Sequence, residues 1–235
     1  MGKVLGAMSD FISPHLSKLL KVLTGLSLTN VAPEVANRLS ICINHVAALP
    51  SRVVLAEISK VFGELNPENI PTLLSLTDKH IDHMERGAAT KHQGLLQKFF
   101  LGALKFRHDN PSVERSLANS IENSTCVALV RLALKLPEAS LRPLLFKIFS
   151  WGTDEDNLLC LLPLFTLYGH LAAALKSMFP IFTGSLSTYL VKILVRFLGF
   201  FIIERFNQNF SRKSRMKDQK FRTLEKIVVM CLSAS

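Results

Sequence analysis

The sequence predicts an all-α fold, and three observations carry that reading. Apolar residues recur at helical spacing along most of the chain, clean strand alternation is absent, and no Asn-Gly or Asp-Gly pair marks a hairpin. Leu16, Leu19, Leu20 and Leu23 form the first stripe. Pro33, Pro50 and Pro67 each stand near the start of an apolar-periodic run, where a missing N–H costs nothing. Val54, Leu55, Ile58, Val61 and Phe62 form a second stripe. Thr90-Lys91-His92-Gln93 spells a capping box ahead of a third, made by Leu95, Leu96, Phe99, Phe100, Ala103 and Leu104. Asn110-Pro111 spells another helix start, with the asparagine as cap. From Ser140 to Asp156 the spacing predicts a short helix with Pro143 in its first turn and Leu141, Leu144, Leu145, Ile148 and Phe149 on one face. Gly152 is placed to cap it, and Asp154, Glu155 and Asp156 suit the N-terminus of the next helix.

About ten or eleven helices of roughly 12 to 20 residues fit this pattern. Pairs of such helices give a period of about 40 residues, the spacing of HEAT and armadillo repeats. Periodicity alone leaves a compact helical bundle open beside a solenoid.

A chain of 235 residues with 49% hydrophobic content is long and apolar enough for a substantial core. The net charge of +10 leans towards an acidic partner such as nucleic acid or an anionic membrane. Cys42, Cys126, Cys160 and Cys231 are far apart in sequence, and each lies among apolar residues. They read as buried reduced thiols in a reducing compartment. The segment from Met1 to Gly6 lacks the apolar core of a secretory signal, and Gly6 breaks the myristoylation pattern. Asn123-Ser124-Thr125 and Asn209-Phe210-Ser211 are therefore glycosylation sequons by spelling only. The first helix is strongly apolar, and the run Ile227 to Leu232 is too, so neither end reads as the polar cap of a repeat array. The expectation is a piece of a longer array, or a short isoform whose ends find partners.

Two segments raise a membrane-associated alternative. Residues 157–175 carry no Asp, Glu, Lys or Arg, and Leu186 to Ile203 is nearly as apolar. Against spanning, Pro163, Tyr168 and His170 interrupt the first. Lys192 and Arg196 interrupt the second, at roughly 2.5–3.5 kcal/mol each for a charge at a helix centre. The second segment also keeps its apolar residues on one stripe, which suits a protein core.

Motifs for chemistry are missing: no G-x-x-x-x-G-K, G-x-G-x-x-G, G-x-S-x-G or H-E-x-x-H occurs. His80 and His83 share a helical face, and His92 is the nearest third imidazole, but the stretch reads as a solvated polar helix end rather than a zinc site. His15, His45, His108 and His170 stand alone. The reading is a non-enzyme with no catalytic residues, no metal, no cofactor and no small-molecule substrate.

The strongest charge cluster lies between Arg205 and Lys226, where eight basic residues face Asp218 and Glu225. Arg212, Lys213, Arg215, Lys217, Lys220 and Arg222 are its nucleic-acid-binding candidates, because cations neutralise phosphates and the interleaved Phe206, Phe210 and Phe221 could stack on bases. A solvated linker with those rings turned inwards is the plain alternative, and Arg212-Lys213-Ser214-Arg215 also resembles a nuclear-import signal. No RRM or zinc-finger signature is present, so any RNA contact would be to the backbone and salt-sensitive.

Three segments, Asn44 to Pro50, Phe99 to Arg107 and Ser140 to Asp156, occur in the order found in the C-terminal region of the HEAT repeat-containing protein 1 family, and the resemblance extends over about residues 10–205. Those large nucleolar proteins belong to the U3 small nucleolar ribonucleoprotein and the small-subunit processome. The resemblance selects an α-solenoid of HEAT-like antiparallel helix pairs over residues 1–204, followed by a basic linker and terminal helix over 205–235. It implies a scaffold in the nucleus and nucleolus, supporting pre-rRNA processing to 18S rRNA and linked to rRNA transcription. The implied partners are the U3 particle, other processome proteins, and pre-rRNA or snoRNA directly or indirectly, without a membrane. Leu144, Phe146, Phe149 and Trp151 of the third segment read as packing residues. A general helical-repeat adaptor without an RNA role is the alternative.

Overall fold

The computed structural model describes residues 13–25, 33–153 and 160–180, and within them the apolar stripes become helices. Among the described residues there are ten α-helices and no strand. They are α1 (Leu16–Gly25), α2 (Pro33–Ala47), α3 (Ser51–Phe62), α4 (Ile70–His83), α5 (Arg86–Lys91), α6 (Gln93–Leu104), α7 (Phe106–Asp109), α8 (Arg115–Lys135), α9 (Glu138–Gly152) and α10 (Leu161–Leu175). The apolar segment from Leu186 to Ile203, the basic cluster, the boundary at 204/205, Asp154 to Asp156 and Cys231 lie outside the described residues.

The chain forms two compact units, Met1–Leu144 and Leu145–Ser235. Within the first, α1 packs on α3 and α3 on α6, while α2 packs on α4 and α4 on α8. Further contacts join the two rows, chiefly α3 with α4 and α6 with α8. Long helices thus touch the next but one, as they do when short-linked antiparallel pairs stack in two layers. The first helices of successive pairs begin at Leu16, Ser51 and Gln93, a spacing of about 40 residues. This is an α-solenoid, and its core is the set of stripes pressed between the layers. Leu16, Leu20, Val54, Leu73, Leu74, Leu76, Leu96 and Phe100 are fully buried.

Buried threonines are accommodated by bonding inside their own helices. The hydroxyls of Thr24, Thr77 and Thr125 donate to the carbonyls of Leu20, Leu73 and Ile121 at 2.8, 2.8 and 2.7 Å.

Several local expectations are corrected. Thr90 lies inside α5, where its hydroxyl donates to the Arg86 carbonyl at 3.3 Å, so the capping box does not form. Asn110 ends α7 instead of starting a helix: its Nδ2 donates to the Phe106 carbonyl at 2.9 Å, and α8 begins only at Arg115. Helix α9 starts at Glu138, with the Pro137 carbonyl accepting from Ser140 N and Leu141 N, so Pro143 lies in the helix interior. Pro143 is exposed. Water can therefore serve the carbonyl that its missing N–H leaves unpaired. Phe146 is 66% exposed and is not a core residue, whereas Leu144 is buried. Cys42 is exposed, in contrast to buried Cys126 and Cys160.

In the second unit Gly152 has no positive φ, so it is no left-handed cap. Its role is close approach: a Cβ there would stand 2.7 Å from Leu164 Cδ2 and 2.9 Å from Leu164 Cβ. Helix α10 buries Leu161, Leu164, Phe165, Leu167 and Leu171. At 15 residues it is short for a bilayer crossing. No single helix among the described residues is long and apolar enough to cross a membrane; the pair Ser40–Ala47 and Ser51–Phe62, bent by 120°, passes by length and composition only.

Gly152→Ala is expected to lower stability by about 1–3 kcal/mol, the cost of forcing a methyl into filled space. Gly169→Ala on exposed α10 surface, where nothing lies within 4 Å, is the control. It should be stabilising by about 0.4–1 kcal/mol, because alanine restricts the unfolded chain. Urea melts of the two variants check the opposite signs.

Candidate functional site

The basic candidates Arg212, Lys213, Arg215, Lys217, Lys220 and Arg222 fall outside the described residues. Within the described residues, polar side chains chiefly pin one helix to another.

Arg107, at the end of the second resemblance segment, is the clearest case. Its Nε and Nη2 donate to the two carboxylate oxygens of Glu122 at 2.5 and 2.7 Å, and Nη2 also reaches Asn119 Oδ1 at 2.6 Å. Glu122 is 3% exposed on α8, so this bidentate pair ties α7 to α8 inside the fold. Cys126 lies one turn further along α8, and its thiol is pushed up to about 12, by burial first and then by the Glu122 charge. A thiol so placed is inert at neutral pH.

On α8, Arg131 Nε donates to Asp78 Oδ1 at 2.6 Å and its Nη1 to Asp82 Oδ1 at 2.8 Å, both on α4. Lys135 continues the seam, donating to the carbonyls of Asp82 and Met84. Gln93 Nε2 donates to the Ser140 carbonyl at 2.7 Å.

His80 corrects the expectation of a solvated polar helix end. It is 1% exposed, while His83 is exposed and His92 half-buried. Its Nδ1 is 2.6 Å from the carbonyl of Ala47, within the first resemblance segment, which identifies Nδ1 as the protonated nitrogen. Nε2 is buried without a hydrogen-bond partner. Burial holds the imidazole below its ordinary pKa; the Ala47 carbonyl acts in the opposite direction, and His83 and His92 add to the lowering. Among the described residues no group of three His, Cys, Asp or Glu gathers as a metal site.

Sequence reasoning did not single out Glu122 or Arg131, and it met Asp78 and Asp82 only as part of the polar stretch around His80. Glu122 gave little signal, because it stands in the mostly polar run from Asn119 to Thr125. Nothing local marks Arg131 or Asp78, because their partners lie about fifty residues away.

Stacked helix pairs pinned in this way define a protein of the HEAT-type helical-repeat class. Residues 88–235 match the BP28CT (NUC211) domain. HEAT repeat-containing protein 1 of Danio rerio is 31% identical over 191 residues, which cover 76% of this chain and 9% of that protein. The Homo sapiens protein of the same name is 30% identical over 193 residues, covering 78% and 9%. U3 small nucleolar RNA-associated protein 10 of Debaryomyces hansenii is 24% identical over 157 residues, covering 62% and 8%. The chain belongs to the HEAT repeat-containing protein 1 family, in the region that carries the BP28CT domain. It spans about a tenth of the length of the curated relatives it matches.

Two outcomes follow. Arg107→Met should cost about 3–5 kcal/mol by leaving the Glu122 carboxylate buried and unpaired, and Arg107→Met/Glu122→Leu should regain most of that loss; thermal unfolding of the two variants tests the contrast. His80 gives the second. Its folded-state pKa is lowered, so the unfolded chain binds its proton first, and stability present above the ordinary value of 6.5 is lost as pH falls from there through the folded value. Urea unfolding between pH 7.5 and pH 5 (roughly the histidine range) should show this slope, and His80→Asn should flatten it.

Proposed function

We propose that this chain is a non-enzymatic scaffold of the nucleolar small-subunit processome. It would support maturation of pre-rRNA to 18S rRNA, with a further link to rRNA transcription. The observation that carries the reading is the family match over most of the chain, together with a stacked-pair architecture suited to surface presentation. Relatives named for association with U3 small nucleolar RNA support the choice of particle.

Mechanically, the pins between α4 and α8 and between α7 and α8 hold helix pairs in fixed register. A rigid face can then bind without a large ordering cost. Residues 1–204 form the repeat region and residues 205–235 a basic linker and terminal helix. The partners are the U3 particle, other processome proteins and pre-rRNA, and the compartment is the nucleolus.

The test is recovery of the tagged chain from nuclear extract, with and without RNase, probed for U3 RNA and pre-rRNA. Enrichment over a charge-matched helical protein is expected. Loss of that enrichment on changing Arg212, Lys213, Arg215, Lys217, Lys220 and Arg222 to Ala would assign RNA contact to the basic segment; retention would assign recruitment to the solenoid. No enrichment of the unaltered chain would refute the processome reading.

A further inference from the structure

The two layers of the first unit differ in charge. Helices α1, α3 and α6 lie side by side, and their exposed charged residues are Lys18, Lys21, Arg52, Lys60, Lys98 and Lys105 (the last immediately after α6). No Asp or Glu occurs in α1 or α6, and the one in α3, Glu57, is half-buried with its Oε2 buried. At the rim, Glu64 pairs with Lys21 at 2.6 Å and lies near enough to Lys60 to feel its charge, without forming an ion pair with it. Among the described residues no ion pair engages Lys18, Arg52, Lys60, Lys98 or Lys105. The opposite layer is mixed: α2 exposes Glu34 and α4 exposes Asp82, and the charge of Arg131 is already met by Asp78 and Asp82.

Between its cations the basic face has low relief. Ala56, Gly94 and Gly102 are exposed, and nothing lies within 4 Å of where a Cβ would stand on either glycine. Lys98 and Lys105 are two helical turns apart, about 10 Å along the axis. Neighbouring helices in a layer are also spaced by about 8–10 Å. The result is a two-dimensional grid of cations wider than the spacing of backbone phosphates, so each side chain can meet a phosphate without a fixed register.

We propose that the outer face of the α1–α3–α6 layer is a docking surface for the phosphate backbone of RNA. The choice of RNA rests on the processome reading above; the face itself is argued from its geometry and charge. An acidic protein fits less well. Lysine is depleted in protein interfaces, whose centres are apolar. The large exposed apolar residues on this face, Val22 and Leu95, sit on the outer helices α1 and α6, with Arg52, Ala56 and Lys60 of α3 between them. Binding is therefore electrostatic and indifferent to sequence. It draws on none of the residues of the basic segment at 205–226.

The experiment measures binding of the purified full chain to a fluorescein-labelled oligouridylate as a function of salt. Lys60→Ala/Lys98→Ala should lower the slope of log K against log salt by about 1.4, since each phosphate neutralised on a single strand contributes about 0.7. Lys79→Ala/Arg115→Ala removes the same charge from the other layer and should leave the slope unchanged, while Lys60→Arg/Lys98→Arg should restore it. Equal slope changes in both alanine pairs, or none in either, overturn the proposal. So does an RNase-resistant acidic protein that needs Lys60 and Lys98 while the oligouridylate does not bind. Oligouridylate binding through this face without enrichment of U3 RNA or pre-rRNA would keep this surface and sink the processome reading. Enrichment with a slope indifferent to Lys60 and Lys98 would do the reverse.

Discussion

The structure of the first unit depends on the burial of α4. This helix is touched by α1, α2, α3 and α8. Leu73, Leu74, Leu76 and Ile81 are buried, and the polar residues that share those turns, Thr77 and His80, go in with them. A polar group withdrawn from water without a partner costs about 1–3 kcal/mol, so each needs an internal partner. Thr77 finds one in its own helix at Leu73, and His80 reaches across to the end of α2 at Ala47. The carboxylates at the edge of the same helix, Asp78 and Asp82, then set where Arg131 of α8 must lie.

These pins matter more for register than for net stability. Replacing a buried ion pair with well-packed apolar groups is often neutral, whereas removing one partner is costly. The Arg107–Glu122 pair therefore penalises any sliding of α7 on α8 that separates its members, and the Arg131 fork does the same for α4 and α8. Layer packing alone would tolerate a shift that keeps apolar atoms in contact. Directional bonds do not. A repeat array whose work is to present a surface needs that fixed register, because small displacements per pair accumulate along a stack.

Much of the helix layout was legible because burial on one face imposes a period on sequence. The stripes of α1, α3 and α6 were legible except at Leu95, which was read into the α6 stripe but is exposed, and Pro33, Pro50 and Pro67 do stand where helices or the turns leading into them begin. The misreadings share a cause: spelling that fits two conformations. Thr90 fits a cap and an interior position, Asn110 fits an N-cap and a C-cap, and Pro143 is tolerated inside α9 because its face is exposed. His80 looked solvated beside Asp78 and Asp82, yet one step round the helix carries it inwards. Gly152 looked like a cap, while its actual constraint is Leu164, a neighbour that no local pattern announces.

By itself, then, the sequence determined the secondary-structure class, the buried stripes and the excess of positive charge, since each of these is written in residue type and short-range spacing. Only the tertiary structure decided which helices share a layer, which carboxylates meet which arginines, and that Lys60 and Lys98, on helices far apart in sequence, belong to one face. The physical reason is that layer membership comes from packing between helices two elements apart. A surface built from several helices has no period along the chain.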